Sequence, residues 1–355
     1  MAAKYQVLAD RLRDELNQNG GQQSRKLPTE LELAQRYHLS RQTVRHALRL
    51  LEEEGLIQRR QGSGSYSTGL TSNAPSRQIA VVTSFIDDYI FPGILHDVSA
   101  VFSQHGYSTA VYSSENQIAR ERELLLRLLG EPIGGLLMEG AKTALPSPNA
   151  DLYKRLRQAG VPMVFLHSVY SESPDVPCVA DDNYGGGYSL GQYLAGQGHR
   201  EIAGLFKSDD AQGLHRYHGV LSAIRDAGLP IRDSRFAWYD TEDRCRLLEE
   251  KDLRLLTGFL ENRLGDATAV VCYNDEIAYH MIQALLSAGR RVPEDVAVVS
   301  FDNSYLSQIG PVPITSLSHR SRMGRVAAEH MIALLNGETP RSTFLEWDLV
   351  LRQSG

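Results

Sequence analysis

The sequence predicts an α/β protein made of a small winged helix-turn-helix and a two-lobed body of parallel sheets. Three observations carry this. Residues 1–67 hold three helical stripes and a glycine-tipped basic hairpin. Residues 68–77 are rich in Ser, Thr, Asn, Gly and Pro, have no apolar period and read as a linker. Residues 78–355 alternate short apolar runs with helical stretches of ten to fifteen residues, a rhythm that builds parallel sheets. At ~150 residues per domain, 355 residues make two or three such units. The body is too long for one such sheet, so two lobes with a cleft between them are expected.

The head can be followed element by element. Across residues 4–19, Tyr5, Leu8, Ala9, Leu12 and Leu16 share one helical face, and Gly20 and Gly21 end it. Thr29 followed by Glu32 is a capping box that opens a helix over 30–37. After a turn at His38 and Leu39, Ser40 caps a third helix over 41–54. Val44, Ala47, Leu48 and Leu51 face inward on it, and Gly55 stops it. Residues 56–60 form a strand, and 61–65 (QGSGS) form the tip of a hairpin before Tyr66.

In the body, strands are expected at 79–83, 108–112, 134–138, 162–166, 179–180, 202–206, 269–272 and 296–301. Helices are expected up to residue 104 and over 116–130, 151–159, 184–197, 214–227, 275–288 and 321–335. No internal repeat is visible.

Composition narrows the class. The chain is 42% hydrophobic and 23% charged, as globular chains are. No apolar run approaches the ~18 residues of a membrane span, and Lys4, Arg11 and Arg13 make the start unlike a secretory signal. Cys178, Cys245 and Cys272 are too few and too scattered for a disulfide framework, so a reducing cytoplasm is the expected location. The net charge of −6 conceals an asymmetry: residues 1–70 hold 11 Lys/Arg and 8 Asp/Glu (+3), and the other 285 hold 26 and 35 (−9). A basic segment on an acidic body suggests two tasks.

Duplex DNA requires cations for phosphate and forked donors or amides for base edges. The third helix offers Arg41, Gln42, Thr43, Arg45, His46 and Arg49 on its polar side. Arg45 suits bidentate guanine readout, while Arg41, Gln42 and Thr43 suit phosphate or neighbouring bases. At the hairpin, Arg60, Gln61, Gly62 and Gly64 suit a minor groove that large side chains cannot enter. Lys4 and Arg36 are candidate backbone clamps. A merely solvated charged helix is the competing reading; the order of elements, the cap spacing and the basic wing together favour DNA.

In open α/β sheets, ligands sit beyond the carboxyl ends of strands. Arg216, Asn274, Asp275 and Asp302 follow strands in one lobe. Asp87, Asp88, Tyr89 and Phe91 follow the first strand of the other, with Glu139 and His167 after later ones. Forked donors, carboxylates and aromatics are what a monosaccharide site needs. Lys207 and Glu139 are further candidates. Tyr89 and Phe91 equally fit core or rim aromatics, His167 a satisfied loop histidine, Asp275 a helix N-cap, and Asp302 a cap of the turn that follows it.

The sequence also carries two resemblances. Leu27-Pro28-Thr29-Glu30-Leu31-Glu32-Leu33-Ala34, Leu39-Ser40-Arg41-Gln42-Thr43-Val44-Arg45-His46-Ala47-Leu48 and Gly55-Leu56-Ile57-Gln58-Arg59-Arg60-Gln61-Gly62-Ser63-Gly64-Ser65-Tyr66 resemble the GntR-type DNA-binding domain. That likeness implies DNA contacts from Arg41, Thr43 and Arg45, with the wing glycines near the minor groove; Glu30, within the same motif, is a further candidate contact. Many members carry Arg where this chain has Leu31, a departure that removes a contact there. Asp182-Asn183-Tyr184-Gly185-Gly186, Arg216-Tyr217-His218-Gly219, Cys272-Tyr273-Asn274-Asp275 and Val298-Val299-Ser300-Phe301-Asp302, among other stretches, resemble the LacI-type core, a periplasmic-binding-protein fold. That likeness implies sugar hydroxyls on Arg216, Asn274 and Asp302. The combination is similar to the arabinose-responsive repressors. It implies operator DNA, a sugar effector (L-arabinose, or else another pentose, a hexose or a nucleoside) and a homodimer on a pseudo-palindrome.

Other chemistries fit less well. Gly187-Tyr188-Ser189-Leu190-Gly191 matches the nucleophile elbow G-x-S-x-G, but Ser189 falls in a helical pattern rather than at a strand-to-helix turn. No phosphate-binding G-x-x-x-x-G-K-[ST] occurs, and the 11 histidines show no metal spacing. An enzyme with an accessory DNA-binding head is the rival class. No cofactor and no metal are expected.

Overall fold

The computed structural model describes residues 4–18, 26–53, 56–60, 64–67, 76–87, 89–170 and 173–355. They divide into two units, Met1–Ser76 and Arg77–Gly355.

The first unit holds α1 (Lys4–Gln18), α2 (Glu30–Arg36), α3 (Arg41–Glu53) and the hairpin β1 (Ile57–Arg60) and β2 (Gly64–Ser67). Leu8, Ala9 and Leu12 of α1 meet Leu33 of α2 and Val44, Ala47, Leu48 and Leu51 of α3 in one buried cluster. The helical stripes of the sequence are therefore the core faces. The capping box closes as expected: the Thr29 hydroxyl accepts the Glu32 N–H, and the Glu32 carboxylate accepts the Thr29 N–H at 2.6 Å. The Ser40 hydroxyl accepts the Thr43 N–H at 3.1 Å. The wing is anchored by Leu27 N–H donating to Ser65 O at 2.8 Å. Gly64 has a φ of 107°, which a side chain rarely adopts.

The second unit begins with β3 (Gln78–Thr83), α4 (Phe91–Gln104), β4 (Ser108–Ser113), α5 (Ile118–Leu128), β5 (Gly135–Glu139), α6 (Ala150–Gln158), β6 (Met163–Leu166) and β7 (Cys178–Asp181). It continues with α7 (Asn183–Gly196), β8 (Ile202–Lys207), α8 (Ala211–Asp226), β9 (Phe236–Tyr239), α9 (Thr241–Leu248), α10 (Arg254–Phe259), β10 (Ala269–Cys272), α11 (Asp275–Ser287) and β11 (Ala297–Phe301). The chain ends with α12 (Leu306–Ile309), β12 (Thr315–His319), α13 (Met323–Leu335), β13 (Thr343–Leu345) and β14 (Trp347–Val350). Two six-stranded sheets result, in the orders β13-β7-β6-β5-β3-β4 and β14-β12-β11-β10-β8-β9. Neighbours are parallel except β12 and β14. Central strands such as β3, β5 and β10 are buried on both faces, which is why they appear as unbroken apolar runs.

The chain crosses between the sheets three times: from β7 into α7, from β12 into α13, and between β13 and β14. Period reading foresaw two lobes but not these crossings. It placed a helix over 321–335 in the ongoing alternation, whereas α13 packs back on the first sheet through Met323, Ala327 and Met331. It also missed β9, α9, α10 and β12 to β14. Strands β9, β13 and β14 are half-buried edge strands of three or four residues, too short for a clear pattern.

Helices α7 and α8 approach closely because glycines face each other. A Cβ on Gly219 would lie 2.1 Å from Tyr184 O, and one on Gly187 would lie 2.1 Å from Arg216 O. Gly219→Ala is expected to force the helices apart and cost about 1–3 kcal/mol of unfolding free energy. Urea denaturation checks it, and an unchanged midpoint would contradict the close packing.

Candidate ligand cleft and nucleic-acid interface

The carboxyl ends of the two sheets face each other across a cleft that holds about 590 Å³ of atom-free space counted to its open mouth. Eight candidate ligand residues line it: Tyr89, Phe91, Glu139 and His167 from the first lobe, and Lys207, Arg216, Asn274 and Asp302 from the second. Asp88 lies outside the described residues. Tyr89, His167 and Asp302 hold φ values of 56°, 61° and 92°, a left-handed backbone that costs non-glycine residues energy. Such strain persists only where surrounding contacts impose it.

Each buried cation in the cleft has its own carboxylate. Arg216 is 3% exposed, and its guanidinium is held on three sides. It donates to Asn183 Oδ1 (2.9 Å), Tyr273 O (2.5 Å) and Asp302 Oδ1 (3.2 Å). The rings of Phe301 and Tyr273 lie 4.3 and 4.9 Å from its centre. Lys207 Nζ sits between Asp210 (2.5 Å) and Asp209 (3.1 Å). Arg244 grips Glu276 with two bonds of 2.7 and 2.8 Å, and its guanidinium stacks 4.2 Å from the Phe85 ring of the opposite lobe. Burial opposes charge on Arg216 and Lys207, but Asp302 for the one and Asp210 and Asp209 for the other outweigh it, raising both pKa values. Glu139 is the reverse case: burial pushes its carboxyl up despite the nearby His167 and the Ser84 N–H.

The helix cap expected of Asp275 falls instead to Asn274, which still lines the cleft. The side chain of Asn274, not Asp275, caps α11, accepting the Ile277 N–H at 3.1 Å. That leaves the Asn274 amide nitrogen for the cleft. Asp275 is fully buried and accepts from the Ser300 and Ser316 hydroxyls and the Ser304 N–H, tying β11 and β12 to the start of α11. Burial, reinforced by the nearby Asp302 charge, raises its pKa to about 7.

The lobes also touch directly. Tyr89 reaches from the first lobe to donate to Asp302 Oδ2 at 2.6 Å and accept the Asp275 N–H at 3.2 Å. Asn116 donates to Thr241 Oγ1 (2.7 Å) and Asp210 Oδ1 (3.0 Å), and Lys142 pairs with Glu242 at 3.1 Å. At the crossings, His319 Nε2 lies 2.9 Å from Asp181 Oδ1, off the line of a hydrogen bond, and its ring is 4.3 Å from that of Trp347. Burial works against the Asp181 charge, yet His319 and His167 hold its pKa well below the ordinary carboxylate range.

Sequence reasoning missed Gln212, Asp210, Tyr239, Arg244, Tyr273 and Glu276, which also line the cleft. Asp210, Gln212 and Tyr273 come after strands that are evident in the sequence, so the strand-end rule reaches them. Arg244 was hidden because β9, the strand before its helix, was not seen. Gln212 is 8% exposed, and its amide has no hydrogen-bond partner among the described residues.

In the head, Arg41, Gln42, Arg45, His46 and Arg49 of α3 are exposed. Arg45 donates to both carboxylate oxygens of Glu30, through Nε at 3.2 and 3.3 Å and Nη2 at 3.0 Å. This bond lowers the Glu30 pKa. Thr43 Oγ1 lies 2.8 Å from the Ser40 hydroxyl, and the His46 ring stacks on Tyr5 at 4.1 Å. Arg36 pairs with Glu15 at 3.3 Å. Gln61, Gly62 and the side chains of Lys4 and Arg60 lie outside the described residues.

Residues 4–66 match the family of bacterial regulatory proteins of the gntR type, and residues 192–355 match the periplasmic binding protein-like domain. An arabinose metabolism transcriptional repressor of Halalkalibacterium halodurans is 32% identical over all of this chain and 97% of its own length. The chain belongs to the arabinose repressor family. A second member, from Geobacillus stearothermophilus, is 35% identical over 87% of this chain and 85% of its own. A solved transcriptional regulator, CelR in complex with cellobiose, superposes with a TM-score of 0.69 at 25% identity, covering 93% of this chain and all of that one. Like other arabinose repressors, the protein is a DNA-binding transcriptional repressor with a GntR-type head on a LacI-type body. No described helix is long and apolar enough to cross a membrane.

Asp275 should leave a signature in pH dependence. An unfolded aspartate releases its proton near ~3.9, while the folded one keeps it to about pH 7. The folded state therefore binds more protons in this window. The stability contributed is complete below about pH 4 and is lost as pH rises to 7 and beyond. Urea titrations from pH 4.5 to 8 are expected to show a decline that is shallower in Asp275→Asn; parallel profiles would exclude it.

Proposed function

We propose that this repressor leaves its operator when one neutral monosaccharide, L-arabinose, occupies the cleft. The pairing of buried cations carries the reading: Arg216, Lys207 and Arg244 are each matched by a carboxylate. Among the described residues lining the cleft, no uncompensated cation awaits a phosphate or carboxylate, so an uncharged polyol is the better guest. The Gln212 amide, the Asn274 amide nitrogen, Glu139 Oε1 and the remaining N–H groups of Arg216 supply hydroxyl partners, and Tyr89, Phe91 and Tyr273 supply apolar faces. The names of the two relatives point to arabinose among such polyols.

At the operator, a homodimer places two copies of α3 in successive major grooves of a pseudo-palindrome. Arg45 reads guanine, with Glu30 setting the plane of its guanidinium; Arg41, Gln42, Thr43 and His46 meet phosphates and adjacent bases, and Lys4, Gln61, Gly62 and Gly64 complete the contact at the helix start and wing. Sugar favours a lobe arrangement that the DNA-bound dimer does not tolerate. A coupling of about 3 kcal/mol gives roughly two decades of release.

Two substitutions separate the tasks. Arg45→Ala is expected to lose about 1–3 kcal/mol of operator affinity while calorimetric L-arabinose binding persists. Arg216→Lys, which keeps a buried charge beside Asp302 but removes the forked donors, is expected to hold the operator but no longer release it with sugar in a gel-shift titration. Operator affinity that is the same with and without L-arabinose in the unaltered protein would overturn the proposal.

A further inference from the structure

A second and larger chamber adjoins the cleft, with about 1,020 Å³ of atom-free space counted to its mouth. The two chambers share Tyr89, Ile90, His167 and Asp302 as a wall. The Tyr89 hydroxyl, bonded to Asp302 at 2.6 Å and to the Asp275 N–H at 3.2 Å, fixes the ring in this shared wall. Its φ of 56° turns the chain so that a residue of the first lobe stands among groups of the second. Beyond the wall the lining carries the amide and hydroxyl groups of Asn303 and Ser318, beside Arg322 and Asp97, which are matched to each other at 2.6 Å. These are the groups a second sugar ring would meet.

We infer that Tyr89 is a specificity-determining residue that limits the effector to a single sugar ring by closing the passage to this second chamber. The inference rests on the monosaccharide reading above and deepens it: a disaccharide shares the chemistry of the cleft but needs the volume Tyr89 withholds. The selectivity comes from a wall, not from a lost hydrogen bond. Removing the ring should therefore matter more than removing the hydroxyl.

The test is calorimetry on the full chain with two probes, L-arabinose and a disaccharide of two arabinose units. The unaltered protein is expected to prefer the monosaccharide by about 100-fold or more, as steric exclusion allows. Tyr89→Gly, which also relieves the left-handed backbone, should shrink that ratio at least tenfold through a gain in disaccharide affinity, and Tyr89→Phe should retain it; a ratio that shrinks only because L-arabinose binds more weakly counts against the wall. If the glycine variant does not fold, Tyr89→Ala serves. Without any variant, a series of arabinosides on the unaltered protein should show affinity falling sharply between a methyl and a glycosyl substituent. A ratio unchanged in Tyr89→Gly, or a disaccharide bound as tightly as arabinose by the unaltered protein, overturns the inference and leaves the proposed function standing. Binding of neither probe by the unaltered protein overturns both.

Discussion

The buried guanidinium of Arg216 is the interaction on which the body depends. Its three bonds reach Asn183 at the first crossing, Tyr273 at the end of β10 and Asp302 at the end of β11, and Trp347 of the third crossing lies 5.6 Å from its centre. Asp302 in turn receives Tyr89 from the other lobe. Burying a cation is costly, and it is tolerated here because its carboxylate partner, its other acceptors and the aromatic faces are all in place. The glycines at 187 and 219 belong to the same arrangement: only without side chains there can α8 lie close enough to α7 to aim Arg216 at Asn183.

The same pairing of charge does different work in the two units. In the head, Arg45 and Glu30 meet at the surface, where the net gain from an ion pair is small and water or phosphate can replace one partner. The bond fixes a direction rather than a stability, which suits a side chain proposed to exchange its partner for a base edge. In the cleft the pairs are buried and exchange is expensive, so cations stay with their carboxylates, which favours the neutral guest proposed above. The acidic body adds repulsion toward DNA, so affinity must come from the placed cations of the head and should fall steeply with salt.

The head was legible almost residue by residue, because capping boxes, helical stripes and glycine stops are local signals. Thr29, Glu32 and Ser40 do what their spacing implies. The strand ends of the body were legible for the same reason: unbroken apolar runs mark strands buried on both faces, and the residues at their carboxyl ends point into the cleft. Three things were not. Crossings between sheets are tertiary, so nothing in the period of residues 321–335 says which sheet receives them. Edge strands such as β9 bury one face only and are short, which hid Arg244. Whether Asn274 or Asp275 caps α11 turned on whether the helix begins one residue earlier or later, a distinction that composition cannot make, since both side chains cap well.

The arrangement of the cleft also constrains how a ligand could act. Asn116 with Asp210 and Thr241, and Lys142 with Glu242, already join the lobes beyond the ligand groups. Closure is thus supported by the protein itself, and a ligand adds only the difference between its contacts in the closed and open arrangements. A guest touching one lobe alone would bind both arrangements equally and shift nothing, however tightly it bound. The candidate groups are divided, with Phe91, Glu139 and His167 on one side and Lys207, Gln212, Arg216 and Asn274 on the other. A sugar ring, polar around its whole edge, can engage both sets at once only when the lobes are together. On the proposed reading, that division is what couples binding to the lobe arrangement, and a site built from two sheets supplies it.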